Sequence, residues 1–338
     1  MPEGHTLHRL AGELTSVFGG NRVRVGSPQG RFAEAAAQLD GALLVDAEAW
    51  GKQLFVRFRP VPPAGVVASG VSGRSGKAAE RRHAGSHVER RQRSQIESET
   101  SRSRRGPEGQ DDEGERFVHV HLGLYGGFDV RDDVPEVPPP VGQARLRLVR
   151  PATPDRLAAY GDLRGPTTCA LVTAAERAAV VARSGPDPLR ADADPDRAWD
   201  RVGRSASPIG TLLMDQSVLA GVGNVYRAEV LFRHRIHPLR PGRTLRSAQW
   251  RAIWDDLVVL MGEGVRTGRI DTVRPEHTPE AMGRPPRVDD HGGEVYVYRR
   301  TGQACHVCGS KVRTEVLGGR NLFWCARCQP AFRSRAGR

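Results

Sequence analysis

An α+β fold in three consecutive parts is predicted: a strand-rich N-terminal part, a helical middle and a small C-terminal ribbon. Three patterns predict it. Before residue 150, short runs alternate between two unlike faces, as where Leu54, Val56 and Phe58 interleave with Gln53, Phe55 and Arg57, the period of strands. From about residue 153 to about 264, Ala, Leu, Arg and Asp recur with helical spacing. Beyond that, four of the five cysteines form two Cys-x-x-Cys pairs, Cys305/Cys308 and Cys325/Cys328. The expected domains are 1–150 with an insert at 64–115, then 151–264, then 265–338 as linker and ribbon.

The first element begins almost at once. In "MPEGHTLHRL", Pro2, Glu3 and Gly4 lead into Leu7, Leu10, Ala11, Leu14 and Val17, which share a helical face over residues 5–18 before Gly19-Gly20 stops the helix. By themselves Pro2 and Gly4 fit a frayed tail. A small residue after the initiator Met favours its removal, however, and Pro2 would then carry a secondary α-amine, which titrates near neutrality and is nucleophilic there. Short strands follow in "RVRV", "ALLVDA" and "QLFVRF". Residues 64–115 hold ten basic and nine acidic residues and no aromatic. Such a stretch cannot bury enough surface to offset its ordering entropy, so disorder is expected, as an overgrown hairpin tip inside one β domain. "FVHVHLGLYGGF" resumes the strands, "PEVPPPVG" interrupts them, and "ARLRLVR" alternates again. Residues 265–300 read as irregular, ending in a strand at "EVYVYRR".

Lys and Arg number 51 against 39 acids, a formal charge of +12, with pI near 10.3 and mean hydropathy −0.48. The excess is larger than solubility requires and points to a polyanion, with nucleic acid ahead of membrane. No apolar run reaches the roughly 18 residues that span a bilayer, and no signal-peptide pattern opens the chain. The cysteine usage favours a metal and a reducing compartment over disulfides.

The two Cys-x-x-Cys pairs are spaced to bring four thiolates to one tetrahedral zinc in a closed and therefore structural site. Between them, "GGRNLFWC" places Arg320 after two glycines, a tight turn that would present its guanidinium. In "SPIGTLLMDQSVLAGVGNVYRAEVLF" the glycines of "AGVGN" break a helix where positive φ is needed, and Asn224 can N-cap the next one. This is either an anion site at a helix N-terminus or an ordinary helix–turn–helix core element, and composition leaves the two even. Lys52 follows Gly51 at the head of a strand, where its ammonium could be held. His119 and His121 share a strand face but lack a third metal partner, and Cys169 reads as a buried or idle thiol.

Taken in order, "MPEG", "WGKQL", "HVHLGLYG", "GPDPL", "DQSVLAGVGNVYRAEVLF" and "GGRNLFWCARCQ" resemble the formamidopyrimidine-DNA glycosylase/endonuclease VIII family. "PEG" in place of "PEL" is similar to its endonuclease VIII branch in actinobacteria. The resemblance spans nearly the whole chain apart from the insert. It implies an N-terminal β-sandwich flanked by helices, a helix–two-turns–helix domain and a zinc ribbon with one structural Zn2+. Damaged double-stranded DNA would lie in the cleft, with single strands a second candidate, and the protein would be a monomer in the bacterial cytoplasm at the nucleoid. The implied activity is that of a bifunctional DNA glycosylase and abasic-site lyase of base excision repair, removing oxidised bases, pyrimidines first.

Carried across residue by residue, Pro2 is the nucleophile that forms a Schiff base, and Glu3 the acid that protonates the deoxyribose. Lys52 holds a phosphate and assists base loss, Asn224 and Arg320 clamp phosphates with Arg320 also counted catalytic, and Leu124 and Tyr125 fill the void left by the flipped base. Glu229 is the acid of the motif's second helix, counted with the DNA-binding residues. Two departures stand out: Thr6 where the family often has an acid, and the insert. The rivals are a non-catalytic damaged-DNA-binding protein on the same scaffold and a zinc-ribbon RNA-binding factor. Pro2, Glu3 and Lys52 together speak against both, since a pure binder has no use for a terminal secondary amine.

Overall fold

The structure is a computed structural model and describes residues 2–60, 114–288 and 293–332. It opens with α1 (Gly4–Phe18), β1 (Asn21–Arg22), β2 (Arg24–Gly26), α2 (Ala33–Leu39), β3 (Leu43–Trp50) and β4 (Gln53–Arg59). Next come β5 (Arg116–His121), β6 (Gly127–Val134), β7 (Ala144–Arg150), β8 (Ala158–Arg164) and β9 (Thr168–Val172). The helices α3 (Ala174–Arg183), α4 (Pro195–Val202), α5 (Ile209–Leu212), α6 (Asn224–Arg233), α7 (Ser247–Thr267) and α8 (Pro279–Met282) precede a hairpin of β10 (Arg313–Leu317) and β11 (Arg320–Trp324).

Two antiparallel sheets, ordered β1-β3-β4-β5-β9 and β2-β7-β8-β6, share one core. Leu44, Leu54, Val56 and Val118 come from the first, and Val130, Leu146, Leu148 and Leu163 from the second. The apolar stripe of α1 (Leu7, Leu10, Leu14, Phe18) closes that core, as its spacing predicts. A second core joins Val225 and Leu231 of α6 to Trp250, Ile253 and Leu257 of α7, and continues into Cys305, Phe323 and Cys325. The ribbon is thus packed into the helical part and does not hang from it.

Several sequence expectations need correction. The strand layer runs on through β8 and β9 to Val172, past the expected boundary at 150, because Ala, Leu and Arg also occupy strands: β8 pairs with both β6 and β7, and β9 closes an edge against β5. "AEAAAQL" is the helix α2, amid residues expected to be strands. "FVHVHLGLYGGF" is two strands joined by a turn at 122–126. The expected disordered segment lies outside the described residues save Gly114 and Glu115. Glu115 belongs to the fold: it is buried and paired with Arg59 at 3.1 Å and Arg57 at 3.4 Å. β4 and β5 pair from Leu54↔Val120 to Phe58↔Arg116, so the ends of the intervening stretch meet at one register.

"EVYVYRR" is buried but is not a strand. Its backbone donors go elsewhere: Tyr296, Val297 and Tyr298 N–H donate to the Glu229 carboxylate at 2.6, 2.8 and 2.8 Å, and Thr272 Oγ1 adds a fourth bond at 2.7 Å. Glu229 is fully buried. It staples the 294–298 segment to α6, and its expected place among the DNA-binding residues is withdrawn, because its oxygens are spent on these donors.

Removing that acceptor orphans buried N–H groups, each costing about 1–3 kcal/mol. Glu229→Ala is therefore expected to destabilise the protein by at least about 3 kcal/mol, read as a large fall in melting temperature. A melt within a degree or two of wild type would show the staple to be dispensable.

Candidate active site and nucleic-acid interface

The site is assembled where three backbone segments touch. Gly4 N–H donates to Gly221 O at 2.8 Å, bringing the start of α1 onto the turn between α5 and α6. A Cβ on Gly4 would lie 2.8 Å from Gly221 Cα, and one on Gly51 would lie 2.8 Å from Gly221 N. Gly51 and Gly221 also have φ of +57° and +88°, the left-handed region that glycine enters without penalty.

This approach carries Glu3 to the N-terminus of α6. Its carboxylate is fully buried and accepts N–H from Gly223 and Val225, both at 2.8 Å, with Tyr226 N–H at 3.4 Å. The second glycine of "AGVGN" is explained here. Gly223 has φ −121°, extended rather than positive as expected, and glycine is required because a Cβ would meet Glu3 Cδ at 2.4 Å. Gly223 is also the N-cap, with Asn224 the first helical residue. The expected cap by the Asn224 side chain is replaced by a carboxylate from 220 residues earlier in the chain.

Burial pushes the Glu3 carboxyl above its usual range, opposed by Lys52 and the helix N–H groups. Burial likewise pulls the Lys52 ammonium below its usual range, Arg320 adding to the effect and Glu3 opposing it. Lys52 therefore feels the charges of both Glu3 and Arg320. Two ionisable groups displaced toward neutrality beside one another are suited to proton transfer. Pro2 is half-buried and lines a cavity of about 310 Å³ with His5, Thr6, Arg9, Leu122 and Asp129. His5 is buried and pushed down to about 4, chiefly by burial, so its imidazole is neutral near pH 7. Thr6 contributes a hydroxyl 3.3 Å from His5 Nε2, and no carboxylate.

Asn224 is tied to the backbone of the residue that follows Arg320. The Asn224 side chain is buried, donates through Nδ2 to Asn321 O at 3.0 Å, and accepts from Arg227 Nη2. Arg227, also buried, reaches the same Asn321 O at 3.0 Å and Gly210 O at 3.3 Å. Sequence reading passed over Arg227, since a lone arginine on a helix gives no sign that it is buried. Arg320 is exposed at the head of β11 after Gly318 and Gly319, with φ of +57° and +71°, the pair of positive values a two-residue hairpin turn needs. Leu124 and Tyr125 sit on the β5–β6 turn, 45% and 93% exposed, so large apolar surface is held out to solvent. His119 bonds Gln53 at 2.7 Å and His121 bonds Thr167 at 2.8 Å; among the described residues neither belongs to a metal-ligating cluster. His121 does feel the Lys52 charge. Burial pushes the Cys169 thiol up to about 12, in keeping with an inert thiol.

The four ribbon sulfurs lie within 4.8 Å of one another, with Cys305–Cys328 at 3.8 Å and Cys308–Cys325 at 3.4 Å, and none is in a disulfide. Tetrahedral zinc with Zn–S near 2.3 Å separates its sulfurs by about 3.8 Å. The donor set fits that ion. Gln329 ties the second knuckle inward, receiving Cys325 N–H at 3.0 Å and donating to Ile236 O at 2.8 Å.

The close approach at Gly4 is testable within one helix. Gly4→Ala is expected to destabilise by about 1–3 kcal/mol through overpacking. Gly12→Ala, whose Cβ meets nothing within 4 Å, is expected to stabilise by up to about 1 kcal/mol. Equal melting temperatures for the two variants would remove the steric account of Gly4.

Comparison with known proteins agrees with this layout. Residues 184–275 match the formamidopyrimidine-DNA glycosylase H2TH domain, and residues 302–331 match a zinc finger found in FPG and IleRS. Endonuclease 8 1 of Mycobacterium tuberculosis is 45% identical over 332 residues, covering 97% of this chain and 100% of that protein. Formamidopyrimidine-DNA glycosylase of Streptococcus pneumoniae is 37% identical over 145 residues, 43% of this chain and 51% of its own length. Lactococcus lactis Fpg, solved with DNA containing N7-benzyl-Fapy-dG, has TM-score 0.63 at 18% identity, covering 98% of this chain and 100% of that one. MutM (Fpg) of Thermus thermophilus gives 0.59 at 22% identity, covering 97% and 98%. Those two share the fold. With the full-length match to endonuclease 8, the chain belongs to the formamidopyrimidine-DNA glycosylase/endonuclease VIII family.

Proposed function

We propose that this protein is a bifunctional DNA glycosylase and abasic-site lyase of base excision repair, acting on oxidised bases and on pyrimidines first. The observation that carries the reading is the Glu3 carboxyl, buried on the N-terminus of α6 directly after Pro2 and within the field of Lys52. The lesion preference leans on the similarity to endonuclease 8. The substrate is damaged double-stranded DNA, with single strands a second candidate, and the protein acts as a monomer.

The chemistry follows from the groups present. With Met1 removed, the Pro2 amine attacks C1′ of the damaged nucleotide and gives up its proton, which the departing base takes. Glu3, poised as an acid by burial, protonates the ring oxygen, and the base departs with the glycosidic electron pair. Ring opening gives an iminium, cationic without loss of a second proton because the amine is secondary. The cation acidifies C2′, whose proton leaves as the 3′ phosphate is expelled; a second elimination expels the 5′ phosphate. Water then hydrolyses the iminium and frees Pro2.

Flipping the nucleotide costs a few kcal/mol and leaves a gap, which Leu124 and Tyr125 are shaped to fill. Arg320 and Asn224 hold the flanking phosphates. An amide has two N–H donors, and one of Asn224's is given to Asn321 O. One zinc in the cysteine cluster is structural: it holds the β10–β11 hairpin that presents Arg320.

Borohydride reduction tests the reading, because it fixes an iminium as a covalent adduct. The chain beginning at Pro2 is expected to cross-link to DNA carrying an abasic site or an oxidised pyrimidine. Pro2→Gly is expected to cross-link far less while binding DNA equally, and a chain retaining Met1 not at all. Arg320→Ala is expected to weaken binding to every sequence alike and lower the salt slope by about one. DNA binding without any cross-link would leave a damage-binding scaffold in place of an enzyme.

A further inference from the structure

We infer that His8 is a positioning residue for Lys52, acting through Asp187; the inference rests on the proposed function and on the part in base loss that the family resemblance implies for Lys52. Lys52 sits in the two-residue turn between β3 and β4, where Trp50 pairs with Gln53. A side chain at a hairpin tip is ordinarily free to wander. Here the tip is tethered to the segment that follows α3. Gly51 N–H donates to Asp187 Oδ2 at 2.6 Å, and Trp50 Nε1–H donates to Gly185 O at 3.0 Å. The Arg190 guanidinium lies 4.5 Å from the Trp50 ring centre.

Asp187 is fully buried, so its orientation is set by its donors alone. Leu189 N–H occupies Oδ1 at 3.0 Å, and Gly51 N–H shares Oδ2 with His8 Nε2 at 2.7 Å. Among the described residues His8 is the one side-chain donor to this carboxylate. The other two donors are backbone groups within the elements being joined, and they cannot fix α1 relative to the turn. His8 does so, and α1 is the helix whose cap is Glu3. One helix therefore sets both partners of the site: Glu3 directly, and Lys52 through His8, Asp187 and Gly51. Loss of the imidazole leaves the buried carboxylate short of a donor and free to turn from Gly51. Lys52 then shifts relative to Glu3, and misplacement on the order of 1 Å can cost up to about 100-fold in rate.

The test is single-turnover kinetics on two substrates: DNA with an oxidised pyrimidine, which requires base loss, and DNA with a pre-formed abasic site, which does not. His8→Ala is expected to slow base loss by about tenfold, to leave abasic-site cleavage unchanged, and to add nothing in a Lys52→Ala background, because the positioned group is already gone. His8→Gln, which keeps an N–H donor of similar reach, is expected to restore most of the rate. Should His8→Ala not fold, His8→Asn, whose donor is too short, makes the same comparison. Additive losses in the double variant, equal slowing on both substrates, or no slowing at all would each overturn the inference while leaving the site intact. An oxidised-base rate untouched in Lys52→Ala would overturn the role of Lys52 and this inference with it.

Discussion

The Glu3 carboxylate lies against the first turn of α6 with no exposure to solvent, accepting N–H groups of Gly223, Val225 and Tyr226. Two large effects oppose one another there. Taking a carboxylate out of water disfavours its charge. The open N–H groups and dipole of a helix N-terminus favour it, as does Lys52. Burial wins, and the carboxyl is held above its usual range. The contact therefore joins α1 to the helical part of the chain and also leaves an acid that can hold a proton beside Pro2.

Much of the surrounding geometry follows from that one contact. Gly223 is needed so that Glu3 can reach α6, and Gly4 and Gly51 are needed so that α1 and the Lys52 turn can crowd onto Gly221. Asn224, one residue further along, is locked with Arg227 onto Asn321 O, the residue after Arg320. Pro2, Glu3, Lys52, Asn224 and Arg320 are therefore referred to a single turn of backbone, although they arise from residues 2 to 320 of the chain. A second buried carboxylate on the same helix, Glu229, does the corresponding work for the segment leading to the ribbon.

The parts of this that were legible in the sequence are those governed by local pattern. The α1 stripe, the "ARLRLVR" strand, the cysteine knuckles and the Gly-Gly-Arg turn depend on period, metal spacing or turn chemistry, all of which a short window contains. The misread parts depend on partners far away in the chain. "EVYVYRR" alternates like a strand, but its N–H groups are claimed by Glu229. Glu115 looks like the end of a charged run until Arg57 and Arg59 are seen beside it. Gly223 looks like a positive-φ glycine, and its actual reason is the side chain of residue 3. Pro2 alone fits a tail, and nothing in a short window sets it beside a buried carboxyl; the Glu3 contact does.

The most direct measurement is the stability and base-excision rate of Glu3→Gln against pH. A carboxyl raised above its ordinary 4.5 binds its proton more tightly in the folded state, so ionising it lowers folding stability as pH rises above that value. The glutamine keeps a carbonyl acceptor for the helix N–H groups but cannot ionise. The account predicts that Glu3→Gln folds, that its melting temperature gains on wild type as pH is raised above 4.5, and that base excision falls by on the order of 100-fold or more. A variant that excises at the wild-type rate, or that loses ground in stability as pH rises, would contradict the placement of a burial-strained acid at the head of α6.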